Sequence, residues 1–164
     1  MAYILLLLFT VTSTALISGL LYGYSCSVIE GLGKLDQVQY LSAMQSINIA
    51  IQNPLFFASF LGTLLLLPLV TFVAYKMDKN LSSVLLLGAT VCYVAGVFGV
   101  TAFGNVPLNQ ALSVVDLKSM TLQEITALRL HFEGPWNFLH SIRTFASFTA
   151  LVLSILACLI AGKT

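Results

Sequence analysis

Residues 136–161 read WNFLHSIRTFASFTALVLSILACLIA. From Phe138 onward the run is apolar over the length of a membrane-crossing helix, which needs roughly 20 such residues. Three more segments meet the requirement: Tyr3 to Val28, Leu55 to Tyr75 and Val84 to Phe103. Each satisfies its own backbone hydrogen bonds if helical, as hydrocarbon demands. The chain is 59% hydrophobic and 8% charged over 164 residues, with a mean hydropathy of +0.98, far from the balance of a water-soluble domain. The sequence therefore predicts an all-α fold, an integral membrane four-helix transmembrane bundle that forms a single transmembrane domain.

The connections are unequal. Lys76 to Ser83 is a short turn, whereas Ile29 to Pro54 and Gly104 to Asn137 are long and carry most of the polar residues. Four spans put both long loops on one side of the membrane, and the short loop and both termini on the other. Lys76, Lys79 and Lys163 assign the short-loop side, and so the termini, to the cytoplasm, against Lys34, Lys118, Arg129 and Arg143 at the far side. The first run lacks a basic leader and is too long for a signal h-region, so an uncleaved span starting near Met1 is expected. Both long loops predict an amphipathic helix. Over residues 36–52, Leu41, Met44, Ile47 and Ile51 recur at helical spacing, and Asn53-Pro54 closes that helix because the residue before a proline disfavours the α region. Thr121-Leu-Gln-Glu124 matches a capping box and Gly134-Pro135 supplies a stop, which predicts a second, separate helix over residues 122–133.

Several function classes drop out. A net charge of +1 with scattered Lys and Arg offers a nucleic acid no basic surface. Cys26, Cys92 and Cys158 fall in apolar runs without metal or redox spacing and read as small buried hydrophobes. Gly19 with Gly23, and Gly88 with Cys92 and Gly96, form small-residue stripes that suit a homo-oligomer as readily as close packing within the chain. No internal repeat relates the two helix pairs, against the duplicated halves of many transporters. No span carries a polar stripe from end to end, against a channel.

Polar residues at membrane depth are costly and ask for a reason, an Arg at a helix centre by about 2.5–3.5 kcal/mol on insertion scales. Trp136, His140 and Arg143 stand at i, i+4 and i+7, so they share one helix face, with Ser147 one turn deeper. The plainer reading is an interfacial Trp, a snorkelling Arg and a His bonded to a carbonyl. Arg143, however, has no acidic residue within the next two turns. Asn48 shares a stripe with Met44, Ile51 and Leu55, where an amide needs partners. Asn105 and Asn109 flank Pro107; Asn105 suits the end of a helix that stops at Gly104, while Asn109 has no such local task. A pocket lined by Asn48, Asn109, His140 and Arg143 would offer oxyanion donors and one base. His131, Glu133 and His140 could be assembled into a metal site only against the helical spacing, since residues two apart point away from each other.

Leu41-Ser-Ala-Met44, Asn48, Asn53-Pro54-Leu-Phe56, Gly62-Thr63, Asn105-Val-Pro107-Leu-Asn109 and Trp136 to Arg143-Thr144, taken together and in this order, resemble the anthrone oxygenase-like family of small membrane proteins. The resemblance implies oxidation of a lipophilic anthrone- or quinone-like aromatic by dioxygen, with no metal or organic cofactor. It implies His140 as the base that removes a ring-methylene proton, Arg143, Asn48 and Asn109 as stabilisers of the resulting anion, and Trp136, Asn105 and Met44 against the substrate. The sequence departs from the family's last motif in one place: an Asn stands there three residues before the Arg, where this chain has His140, with an Asn displaced to Asn137.

Two function classes remain open on the sequence. One is a membrane oxygenase or related redox enzyme, with a variant that holds a metal or haem through His131 or His140. The other is a non-catalytic protein that binds a lipophilic small molecule or serves as an accessory subunit of a membrane assembly. The partners expected in either case are membrane lipid and a lipophilic small molecule.

Overall fold

A computed structural model of the chain describes residues 1–162, and Lys163, which entered the orientation argument, lies outside them. Four helices are long and apolar enough to cross a membrane: α1 (Ala2–Gly33), α3 (Pro54–Lys76), α4 (Asn80–Ser113) and α5 (Leu122–Ala161). A fifth helix, α2 (Gln37–Ala50), fills the first long loop, and no strand occurs among the described residues. The chain is a multi-pass integral membrane protein. Helix α1 packs against α3 and α5, and α4 packs against the same two, so the four spans close into a ring. This is the up-down-up-down bundle that short and long connections of this order permit.

Large apolar side chains such as Phe9, Leu65, Phe72, Phe145 and Phe148 point outward, while Thr10, Thr14, Thr63, Ser82, Ser147 and Ser154 are buried inside. Lipid is as apolar as leucine, so association rests on close packing and interhelical hydrogen bonds rather than on expelling water. All four seams carry such a bond, the one between α1 and α5 joining Ser25 to His140 at 2.9 Å. Ser13 meets Thr63 at 2.7 Å between α1 and α3, and Thr71 meets Thr90 at 3.0 Å between α3 and α4. Ser82 donates to the Ala157 carbonyl at 3.3 Å between α4 and α5.

A rise of about 1.5 Å per residue makes a 20-residue span cover the hydrocarbon core. Helices α1, α4 and α5, at 32, 34 and 40 residues, therefore run well past it. All three overshoot at the long-loop end, where with α2 they build a separate apolar core around Tyr40, Leu41, Met44, Leu112, Ile125 and Trp136. Two polar staples hold α2 there. Gln45 donates to the carbonyls of Leu112 and Val115 at 2.9 and 3.0 Å. Arg129 pairs with Glu133 at 2.7 Å, donates to the Leu35 carbonyl at 2.8 Å and lies over the Tyr40 ring at 4.2 Å.

The stop expected at Gly134-Pro135 is not there. The capping box at Thr121 and Glu124 forms as expected, but the helix it starts runs on without a break to Ala161. Pro135 costs the helix about 3 kcal/mol. The buried stripe explains why it continues: Ile125, Phe132, Trp136 and His140 are in helical register across the proline, and burying the first two alone returns about 1.5–3 kcal/mol each. The end expected at Gly104 is missing as well, since α4 continues through Asn105 to Ser113.

The small-residue stripe of α4 is used within the bundle. A Cβ on Gly96 would lie 2.5 Å from the Ala146 Cβ and one on Gly88 3.2 Å from Leu153, whereas Gly19 and Gly23 meet nothing within 4 Å. Gly96→Ala should therefore lower stability by about 1–3 kcal/mol through overpacking, while Gly19→Ala should be neutral or raise it by up to about 1 kcal/mol through helix propensity. Thermal unfolding of the two variants in detergent checks the contrast.

Candidate functional site

Two departures from α-helical winding bring the site together. Residues Tyr24–Val28 of α1 and Thr101–Asn105 of α4 form π-turns, which place an extra residue in the turn, rotate the helix beyond it and often mark functional positions. The first carries Tyr24 and Ser25 to α5; the second ends on Asn105.

His140 is the centre, only 1% exposed. Its Nε2 lies 2.9 Å from Ser25 Oγ and 3.3 Å from Thr144 Oγ1, and its Nδ1 lies 3.1 Å from an Arg143 Nη2. A guanidinium nitrogen only donates, so Nδ1 accepts and the proton of the neutral ring sits on Nε2. The hydroxyls agree. Ser25 donates its hydrogen to the Leu21 carbonyl at 3.1 Å and Thr144 donates to the His140 carbonyl at 2.8 Å, which leaves both oxygens to accept from Nε2–H.

A serine hydroxyl against a histidine whose other nitrogen is oriented by a third group has the outline of a hydrolytic triad. The polarity is reversed. A triad needs a carboxylate accepting from Nδ1–H so that Nε2 can take the serine proton. Here a cation donates to Nδ1, Nε2 already holds a proton, and Ser25 cannot be activated.

Trp136 is the second fixed point. Its ring stacks on the His140 ring at 5.2 Å and 7°, Tyr24 tilts against both rings, and the Arg143 Cζ lies 5.1 Å from the indole centroid. The indole N–H donates to Asn109 Oδ1 at 2.9 Å, and Asn105 donates to the Trp136 carbonyl at 3.2 Å. Asn105 and Asn109, read from sequence as a helix end and an oxyanion donor, thus both hold Trp136.

Three of the candidate residues keep polar atoms without partners. The buried Nε of Arg143 and the buried Oδ1 of Asn105 have none, and Arg143 forms no ion pair among the described residues. Asn48, 9% exposed on α2, makes no side-chain hydrogen bond among the described residues. Met44 accepts from the Tyr24 hydroxyl at 3.3 Å and, with Tyr24, Tyr40, Trp136 and Asn137, walls a cleft too narrow to admit a water molecule. The metal grouping does not assemble. His131 is exposed and Glu133 is taken by Arg129. Nine residues of helix axis, about 13 Å, separate His131 from His140, and no group of three ligand-type side chains converges among the described residues.

Sequence reasoning missed Tyr24 and Ser25, and took Thr144 only as the end of a family motif. Tyr24-Ser-Cys-Ser27 stands out as a polar run at the end of an apolar span, but only the π-turn selects Ser25 over Ser27.

The sequence matches the family described as anthrone oxygenase over residues 55–153. That stretch contains Asn105, Asn109, Trp136, His140 and Arg143, while Ser25, Met44 and Asn48 fall before it. Neither a curated protein nor a solved structure matches the chain.

The Trp136–Asn109 bond is measurable by itself. Trp136→Phe and Asn109→Ala each lose it, so in a double-mutant cycle of unfolding in detergent the two should fall short of additivity by about 1 kcal/mol; full additivity would mean that the bond contributes nothing.

Proposed function

Since the chain belongs to the anthrone oxygenase family, we propose that it is a membrane-embedded oxygenase, or a related redox enzyme, that acts on a lipophilic anthrone- or quinone-like aromatic. Anthrone oxygenases work without a cofactor. The chemistry this requires is modest. A base removes a proton from the ring methylene, the electron pair moves onto the ring-ketone oxygen, and the enolate reacts with dioxygen. The CH2 becomes C=O, one oxygen atom of O2 is retained and the other leaves as water with the two hydrogens, so no further reductant is needed.

The observation that carries the proposal is Arg143, a cation inside the bundle with no carboxylate partner among the described residues and a buried Nε without an acceptor. Desolvated donors aimed where negative charge develops are worth more than the same donors in water. The Trp136 ring lies beside this one, where a flat substrate ring would have to displace Tyr24 or His140 to stack. Nδ1 of His140 is the base. It carries the free lone pair of the ring, and Arg143 now covers it, so the guanidinium has to turn from Nδ1 to the substrate oxygen as the proton is taken. Asn48 and the unused N–H groups of Asn109 are further donors for that oxygen. Lys76 and Lys79 in the short loop support a cytoplasmic location for that end and the termini.

A non-catalytic lipophile-binding protein or accessory subunit is the alternative, and the closed cleft beside Trp136 favours it.

Oxygen consumption by purified protein, supplied with a lipophilic anthrone or a hydroquinone, separates the two. Turnover is expected in the wild type. It should fall about 10²-fold or more in Arg143→Gln and at least as far in His140→Ala, with both variants still folded in detergent. No turnover with either compound, or equal loss of folded yield in both variants, moves the reading to the non-catalytic protein.

A further inference from the structure

We infer that Ser25 is a positioning residue: its hydroxyl oxygen keeps the His140 proton on Nε2, so that Nδ1, on the Arg143 side, is the nitrogen that takes the substrate proton. The inference rests on the oxygenase reading for its catalytic half; its structural half stands alone.

Ser25 has one hydrogen, and the Leu21 carbonyl takes it at 3.1 Å. Toward Nε2, 2.9 Å away, it therefore presents a lone pair. Thr144 is in the same state at 3.3 Å, its hydrogen bound to the His140 carbonyl. The Ser25 and Thr144 oxygens, with the Leu21 carbonyl behind them, on one edge of the ring and a donor on the other leave the neutral imidazole a single tautomer. Ser25 is the nearer of the two hydroxyls. The stack on Trp136 fixes the ring plane, so the two edges cannot exchange without breaking it.

When Nδ1 takes the proton from the substrate carbon, the ring becomes an imidazolium. Its Nε2–H···Oγ bond to Ser25 then has a charged donor and strengthens, since hydrogen bonds to charged groups are worth roughly twice those between neutral ones. Ser25 therefore acts more on the transition state than on substrate binding, and its loss falls on kcat rather than KM. Leu21 and Ser25 belong to α1, outside the matched residues 55–153, so this element of the site comes from a different helix than the base it orients.

The test uses the full-length protein in nanodiscs with His131→Gln, which removes the exposed second histidine, and 15N-labelled histidine read by two-bond proton–nitrogen correlation. A protonated Nε2 and an unprotonated Nδ1 are expected in the wild type. In Ser25→Ala, with the more distant Thr144 still present, the Nε2 proton should move upfield and an Nδ1-protonated population should appear, both reversed in Ser25→Thr. A spectrum unchanged in Ser25→Ala overturns the inference. A wild-type ring protonated on Nδ1, or averaging between tautomers, overturns the inference whatever the activity. Kinetics with an anthrone add the catalytic half: kcat falling about ten- to a hundredfold in Ser25→Ala with KM little changed, and restored in Ser25→Thr. An unchanged kcat in a folded Ser25→Ala overturns that half. Absence of turnover in the wild type defeats the oxygenase reading, while the nitrogen spectra still decide the role of Ser25 in setting the tautomer.

Discussion

Hydrocarbon solvates apolar side chains and nothing else, so every hydroxyl, amide and charge in the spans must find its partner inside the bundle. Most of this chain is arranged around that demand. Thr10, Thr14 and Ser154 return their hydrogens to carbonyls one turn back in their own helices, and Ser13, Thr71, Ser82 and Tyr93 reach across seams. Against so complete a pairing, the exceptions carry information. Arg143 Nε and Asn105 Oδ1 are left over at the long-loop end, beside the stacked rings of His140 and Trp136. Tyr3 Oη is the third, near the opposite end with Ala74 and Ala161.

The spans were legible because hydrocarbon makes one strong demand of sequence, a sustained apolar run, and Leu55 to Tyr75 shows it plainly. Their true ends were not. Val84 to Phe103 marks the apolar part of α4, but the helix continues to Ser113 because Leu108 and Leu112 pack into the core around Tyr40 and Met44, a contact between residues far apart in the chain. Gly134-Pro135 misled for the same reason. A local breaker is outweighed when the residues on both sides have a common surface to bury, and that surface belongs to α1 and α2.

The site divides in the same way. Trp136, His140 and Arg143 were visible as one face because they lie on one helix at spacings of four and three. Ser25 was invisible because its partner is 115 residues away and a π-turn sets its direction. Asn105 and Asn109 were visible as amides around a proline, and each has one bond to Trp136, Asn105 to its carbonyl and Asn109 to its indole N–H. Arg143 and His140 bond to each other beside them.

The resemblance to a motif with Asn at the place of His140 then has a physical reading. An amide has one acceptor and one donor end, as the Nε2–H tautomer of histidine does. Asn at this position could accept from Arg143 through its oxygen and donate to Ser25 through its nitrogen, the same polarity that His140 shows. The replacement therefore preserves the hydrogen-bond pattern of the site and adds an aromatic face to stack on Trp136, together with an imidazole lone pair turned toward Arg143. On the proposed oxygenase reading, a site with Asn there would orient Arg143 toward an oxyanion and take its base from another residue. His140 would supply orientation and base in one ring once Arg143 leaves Nδ1. The Nε without an acceptor gives the guanidinium a reason to do so when a ligand oxygen arrives.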